Sequence, residues 1–73
     1  MKNKIREYFE AEYKRTEEYL QKQRYERSDV AWYAQQRCLG VAQFTQEFCN
    51  VPYEIIEPLY NEYAEKFQKL IDI

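Results

Sequence analysis

The sequence predicts an all-α protein, a small three-helix bundle with helices over roughly residues 3–25, 29–49 and 53–71. Apolar residues recur at helical spacing in the first and last thirds of the chain. The middle third, Ser28 to Cys49, has only three ionisable side chains apart from its two thiols, as expected of a helix with several covered faces. The 73 residues form one domain, 1–73, so small that support from a second copy is plausible.

The first helix is predicted from one apolar stripe. Glu12, Thr16 and Gln23 interrupt this stripe, and Tyr25 lies off it, so we expect the helix to fray or turn near residue 25. The stripe comprises Ile5, Tyr8, Phe9, Tyr13, Tyr19 and Leu20.

The second helix has recognisable signals at both ends. Ser28 provides a capping hydroxyl and Asp29 an acid for the first turn. Asn50 can adopt the left-handed conformation that stops a helix, and Pro52 cannot continue one. Gly40 lies in the middle and costs a helix about 1 kcal/mol relative to alanine. It therefore indicates either close packing against another backbone or a break in the helix.

The third helix has the most regular pattern. Its apolar stripe continues in phase through Pro58, which we place in or near the first turn, or at a mild kink after one short turn. The stripe comprises Tyr53, Ile56, Leu59, Tyr60, Tyr63, Phe67, Leu70 and Ile71. Short connections between three amphipathic helices predict antiparallel neighbours.

The second helix carries two strips that we assign to the core. One strip is bulky and one is small, so that large side chains from the other helices can pack against the small one. The bulky strip is Val30, Tyr33, Val41, Phe44 and Phe48. The small strip is Ala31, Ala34, Cys38, Ala42, Thr45 and Cys49.

A third strip of the second helix is expected to lie opposite the core. It carries Trp32 and Leu39, surrounded by Gln35, Gln36, Gln43 and Gln46. Tryptophan is enriched at interfaces, and depletion of charge marks their centres. These six residues predict a surface that binds a protein partner or a second copy, most simply as a twofold homodimer. The alternative is that Trp32 covers a helix end and Leu39 is an ordinary surface residue.

The composition argues against catalysis. There is no histidine, and one glycine cannot build a phosphate-binding loop. Cys38 and Cys49 are too few for a zinc site, and on one straight helix they lie about 16 Å apart, too far for a disulfide. We expect Cys38 to be buried and inert. The predicted protein is a non-enzymatic interaction module with no cofactor, metal or small-molecule substrate.

The chain also lacks the signals of export. Its N-terminus leads into Arg6-Glu7-Tyr8 rather than an apolar run, and no stretch of eighteen apolar residues occurs. With free thiols expected, the predicted location is the cytoplasm.

The alternative function is association with nucleic acid. Residues 1–27 hold eight basic and six acidic side chains, which gives the first helix a mixed basic face. Its basic residues are Lys2, Lys4, Arg6, Lys14, Arg15, Lys22, Arg24 and Arg27. Separately, residues 39–45, LGVAQFT, resemble the turn of a helix-turn-helix DNA-binding protein, which implies a break at Gly40 followed by a recognition helix. That segment, Ala42 to Asn50, contains no lysine or arginine for phosphate contacts.

Overall fold

Three α-helices form the part of the chain that the structure, a computed structural model, describes: residues 2–22 and 27–71. The helices are α1 (Lys2–Lys22), α2 (Arg27–Phe48) and α3 (Tyr53–Ile71), and each contacts the other two. The bundle measures 38 × 16 × 15 Å. The predicted all-α three-helix bundle is confirmed.

One continuous face of α1 is buried, including two positions where the sequence suggested interruptions. Glu12 and Thr16 are 2% and 3% exposed, on the same face as Ile5, Phe9 and Leu20. The Thr16 hydroxyl donates to the carbonyl oxygen of Glu12 at 2.8 Å, so its burial leaves no unsatisfied hydroxyl. The predicted interruption at Gln23 and the fray at Tyr25 lie outside the described residues.

The fully buried residues of α2 all belong to its small strip. Ala31, Ala34, Cys38, Ala42 and Thr45 are all buried. The assignment of the bulky strip to the core was wrong for its aromatic members, which are exposed, whereas its two valines are half-buried and pack against the core. The reason is volume, because large side chains of α1 and α3 already fill the interior. Phe9 lies against Tyr63 with ring centroids 5.6 Å apart, and Tyr13 lies against Phe67 at 5.8 Å.

Gly40 neither breaks α2 nor packs closely within the bundle, which corrects both interpretations of it. The helix continues through this exposed position, and a Cβ added there would meet nothing within 4 Å. Ser28 lies inside the first turn of α2 and not at its cap. The predicted stop is confirmed: α2 ends at Phe48 and Asn50 adopts a φ of 57°.

The apolar stripe of α3 is buried largely as predicted. Its core residues are Ile56, Leu59, Tyr63, Phe67 and Leu70. Tyr53 is an exception, because it begins the helix and is exposed. The backbone amides of Ile55 and Ile56 donate to the carbonyl of Pro52, so Pro58 lies in the second turn of a continuous helix.

Candidate interaction surface

Exposed aromatic side chains are concentrated on one side of α2. Tyr33, Phe44 and Phe48 are 59%, 57% and 69% exposed. At 100° per residue these three rings, together with Arg37 and Val41, fall within about 80° of the helix circumference. We call these five residues the aromatic face. Phe44 and Phe48 lie one turn apart with ring centroids separated by 5.0 Å.

The aromatic face borders α1. A surface groove of about 320 Å³ runs between the two helices, and Tyr33 and Arg37 line it from the α2 side. Tyr19, which is 47% exposed, lines it from α1. Tyr8 is also partly exposed on α1, where its hydroxyl donates to Glu12. The exposed aromatic surface therefore extends from α2 onto α1.

A buried carboxylate holds this region together. Arg37 donates from Nε and Nη2 to Oε2 of Glu12 at 3.1 and 3.0 Å, across the α1–α2 contact. Arg15 donates to Oε1 of the same carboxylate at 2.6 Å, and the Tyr8 hydroxyl also donates to Oε1, at 3.3 Å. Because four donors converge on Glu12, the guanidinium of Arg37 has a defined position on the aromatic face.

The electrostatics of the cluster favour an ionised Glu12. Burial alone would raise the pKa of this carboxyl, but the hydrogen bonds and charge of Arg37, followed by the charge of Arg15, outweigh it and lower the pKa below its ordinary value. Burial also raises the pKa of the adjacent Tyr8 hydroxyl, with a further contribution from the Glu12 charge. The cluster therefore contains a stable carboxylate and a neutral phenol.

Four of the six residues predicted as an interaction site, Gln35, Leu39, Gln43 and Gln46, lie on the α3 side of α2 rather than opposite the core. Trp32 is 52% exposed, and its ring lies edge-on to Tyr33 with centroids 5.3 Å apart. Leu39 is half-buried and lines a groove of about 480 Å³ between α2 and α3, as do Gln43 and Gln46.

Gln35 and Gln36, the two remaining glutamines of the predicted site, are both half-buried but have different surroundings. The side-chain amide of Gln35 donates to the Tyr60 hydroxyl of α3 at 3.3 Å. Gln36 lies toward solvent beside Gly40 on the helical wheel. Four of the predicted residues therefore occupy one flank of α2, Gln36 lies outside it, and Trp32 contacts Tyr33 of the aromatic face.

The exposed aromatics Tyr33, Phe44 and Phe48 were missed as surface residues because hydrophobicity alone assigned them to the core. The small strip of α2 was the sequence signal that could have predicted their exposure. A row of alanine-sized residues leaves little depth between helices, and α1 and α3 supply several large apolar side chains. That combination favours packing through the small strip and exposure of the bulky one.

The thiols do not suggest a reactive centre. Both cysteines are free. Burial raises the pKa of Cys38 to about 12, and the Glu12 charge acts in the same direction. In the described part of the chain, no cluster of three or more His, Cys, Asp or Glu side chains could hold a metal ion.

Three basic residues of α1 are engaged with carboxylates. Arg6 pairs with Glu62 of α3 at 2.9 Å, and Lys14 approaches Glu10 at 4.0 Å. Arg15 pairs with Glu12, as described above. The turn implied by the helix-turn-helix resemblance is absent from α2, whose helix is continuous from Arg27 to Phe48, so that interpretation is wrong.

Comparison with known proteins adds no relationship: no protein-family model, curated protein or solved structure matches the chain significantly. Within residues 2–22 and 27–71, none of the helices is both long and apolar enough to cross a membrane.

Proposed function

We propose that this protein is a non-enzymatic protein–protein interaction module that associates with itself through α2. One observation carries the proposal: Tyr33, Phe44 and Phe48 hold more than half of their surface in water on one side of a single helix. Aromatic residues are enriched at interface centres. The single charge on the aromatic face, Arg37, is already paired with Glu12, which lowers the cost of covering it.

The size of the exposed surface supports this proposal. A phenylalanine or tyrosine side chain has about 200 Å² of surface, so these exposures correspond to about 120 Å² for each ring. Three rings give about 350 Å², and Val41, Tyr8 and Tyr19 add to the same side of the molecule. This is comparable to the largest apolar patch of an ordinary monomer, which is often functional. Covering it contributes up to about 3 kcal/mol for each ring.

Sedimentation tests the proposal. We expect the wild-type protein to increase in mean mass between low and high micromolar concentration, and Phe44→Glu to remain monomeric. Tyr53→Glu is the matched control, because Tyr53 is similarly exposed, at 54%, but lies at the start of α3. A wild-type protein that stays monomeric at high micromolar concentration would contradict the proposal.

The same experiment separates the aromatic face from the flank predicted from sequence. Replacing Trp32 with Glu and Leu39 with Lys changes two residues of the predicted site and leaves Phe44 in place. If this pair abolishes association while Phe44→Glu does not, the flank is the binding surface. Circular dichroism of every variant verifies that helicity is retained.

The cytoplasm is the proposed location. Two free cysteines, one of them partly accessible, are typical of a reducing compartment. Nucleic-acid binding is not proposed, because carboxylates 2.6–4.0 Å away engage Arg6, Lys14 and Arg15. Such pairing weakens the positive field on which phosphate binding depends.

A further inference from the structure

We propose that the occupant of the aromatic face is a second copy of the chain, with the two α2 helices antiparallel and crossing beside Gly40 and Val41. This inference rests on the proposed function and specifies the partner and its orientation.

The spacing of the face is the same in both chain directions. Four members of the aromatic face, Tyr33, Arg37, Phe44 and Phe48, follow one another at intervals of four, seven and four residues, and Val41 lies beside their midpoint. On a helical wheel the same residues are symmetric about the midpoint of Gly40 and Val41. A twofold axis at that midpoint therefore places this face against its own copy without a shift in register, as an isologous interface requires.

The pairs created by this axis are chemically matched. Tyr33 of one copy faces Phe48 of the other, so the outer pairs are aromatic. Arg37 faces Phe44 of the second copy, which places a guanidinium against an aromatic ring. Glu12 already fixes that guanidinium by two hydrogen bonds, so little side-chain freedom remains to be lost. A parallel arrangement would instead place Arg37 near Arg37 and bring like charges together.

Gly40 has no side chain to separate the two helices at the proposed crossing point. A Cβ there would meet nothing within 4 Å, and the backbone is exposed between the two sets of rings. Across the proposed axis Gly40 of each copy lies beside Val41 of the other, so the missing side chain lets the two backbones approach on that side of the crossing. The glycine, unexplained by packing inside the bundle, therefore lies where the proposed axis needs a small residue.

The available surface is sufficient for a dimer of modest stability. The three rings expose about 350 Å² in one copy, and the flanking parts of Arg37, Val41, Tyr8 and Tyr19 bring the total to about 600 Å². Two copies would then bury about 1,200 Å², at the lower end of the range for specific interfaces. This size fits an association observed at micromolar concentration.

Cysteine cross-linking tests the orientation. At an interaxial distance of about 8–10 Å, the two Gly40 Cα atoms would lie about 5–7 Å apart, within reach of a disulfide. We expect Gly40→Cys, made in a Cys49→Ser background, to form a covalent dimer rapidly under mild oxidation. Cys38 stays in place because it is buried. Glu47→Cys in the same background is the control, because the two Glu47 positions would lie about 20 Å apart.

The outcomes distinguish this inference from the proposed function. A dimer that cross-links at Gly40 but not at Glu47, and that loses cross-linking when Phe44→Glu is added, supports the antiparallel arrangement. Comparable cross-linking at both positions overturns it in favour of another orientation. Sedimentation of a dimer with no cross-link at Gly40 overturns it in favour of another surface, while the proposed self-association survives. A wild-type protein that does not self-associate refutes both.

Discussion

The Glu12 cluster yields a prediction about stability that the geometry makes quantitative. Replacing Glu12 with glutamine preserves the size of the side chain but removes its negative charge. The carboxylate is 2% exposed and accepts charged hydrogen bonds from Arg15 and Arg37. Each charged hydrogen bond contributes about 1.5–3 kcal/mol when both groups are shielded from water.

The expected loss is smaller than the sum of those bonds. The side chains of Arg15 and Arg37 are 69% and 51% exposed, so water can solvate them again when the carboxylate is gone. Glutamine also retains one acceptor oxygen for them. We therefore expect Glu12→Gln to lower the free energy of unfolding by about 2 kcal/mol near neutral pH.

The stability difference between wild type and Glu12→Gln should depend on pH. The pKa of Glu12 is lower in the folded protein than in the unfolded chain, where it is about 4.3. Its stabilising contribution is therefore complete above that value and disappears as the pH falls through the folded pKa. The difference between wild type and Glu12→Gln should shrink toward zero on acidification below about pH 4.

Urea unfolding between pH 3 and pH 7, at a concentration where the protein is monomeric, measures this difference. Glu18→Gln is the control, since Glu18 is an exposed acid of the same helix. We expect the control to stay within about 0.5 kcal/mol of wild type. A Glu12→Gln variant as stable as this control, or a difference that does not change with pH, would refute the assigned role of the carboxylate.

Three further predictions concern the core and α2. Gly40→Ala should raise the free energy of unfolding of the monomer by about 1 kcal/mol in urea titrations, because the helix is continuous and the added methyl group meets open space; a destabilised variant would refute that geometry. Phe67→Ala should cost about 3–5 kcal/mol because the ring is fully buried, whereas Phe48→Ala should cost less than about 0.5 kcal/mol under the same dilute conditions. Equal losses would contradict the assignment of inner and outer faces. Cys38 should resist alkylation at about pH 8 until the chain unfolds, because burial raises its pKa to about 12, and mass spectrometry of peptides should find Cys49 modified first.

Periodicity and stop signals were enough to predict the three helices. The apolar stripe predicted α3, and Asn50 predicted the end of α2. Both signals are local properties of the chain. The start of α2 was less well predicted, because Ser28 resembles a cap but the helix already includes Arg27. Which apolar face of α2 would enter the core depended on the volume that the other helices occupy, a property that no single segment contains.

The surface predicted from sequence and the aromatic face both lie on α2, but the prediction selected residues on one flank of that helix. Trp32 is exposed as expected, whereas Leu39 is half-buried beside α3. The larger exposed aromatic surface, from Tyr33 to Phe48, became visible only once the small strip was placed in the core. The buried charge of Glu12 was equally unpredictable from its own helix, since Arg37 reaches it from α2.

The small strip of α2 also affects how the bundle responds to force. Ala31, Ala34 and Ala42 have no side-chain rotamers, so they lose no side-chain entropy on burial and cannot adjust their shape afterwards. We therefore expect a load on the outer side of α2 to move the whole helix relative to α1 and α3, because the buried alanine side chains cannot change their shape. The contact of α2 with the other two helices should accordingly resist small deformations.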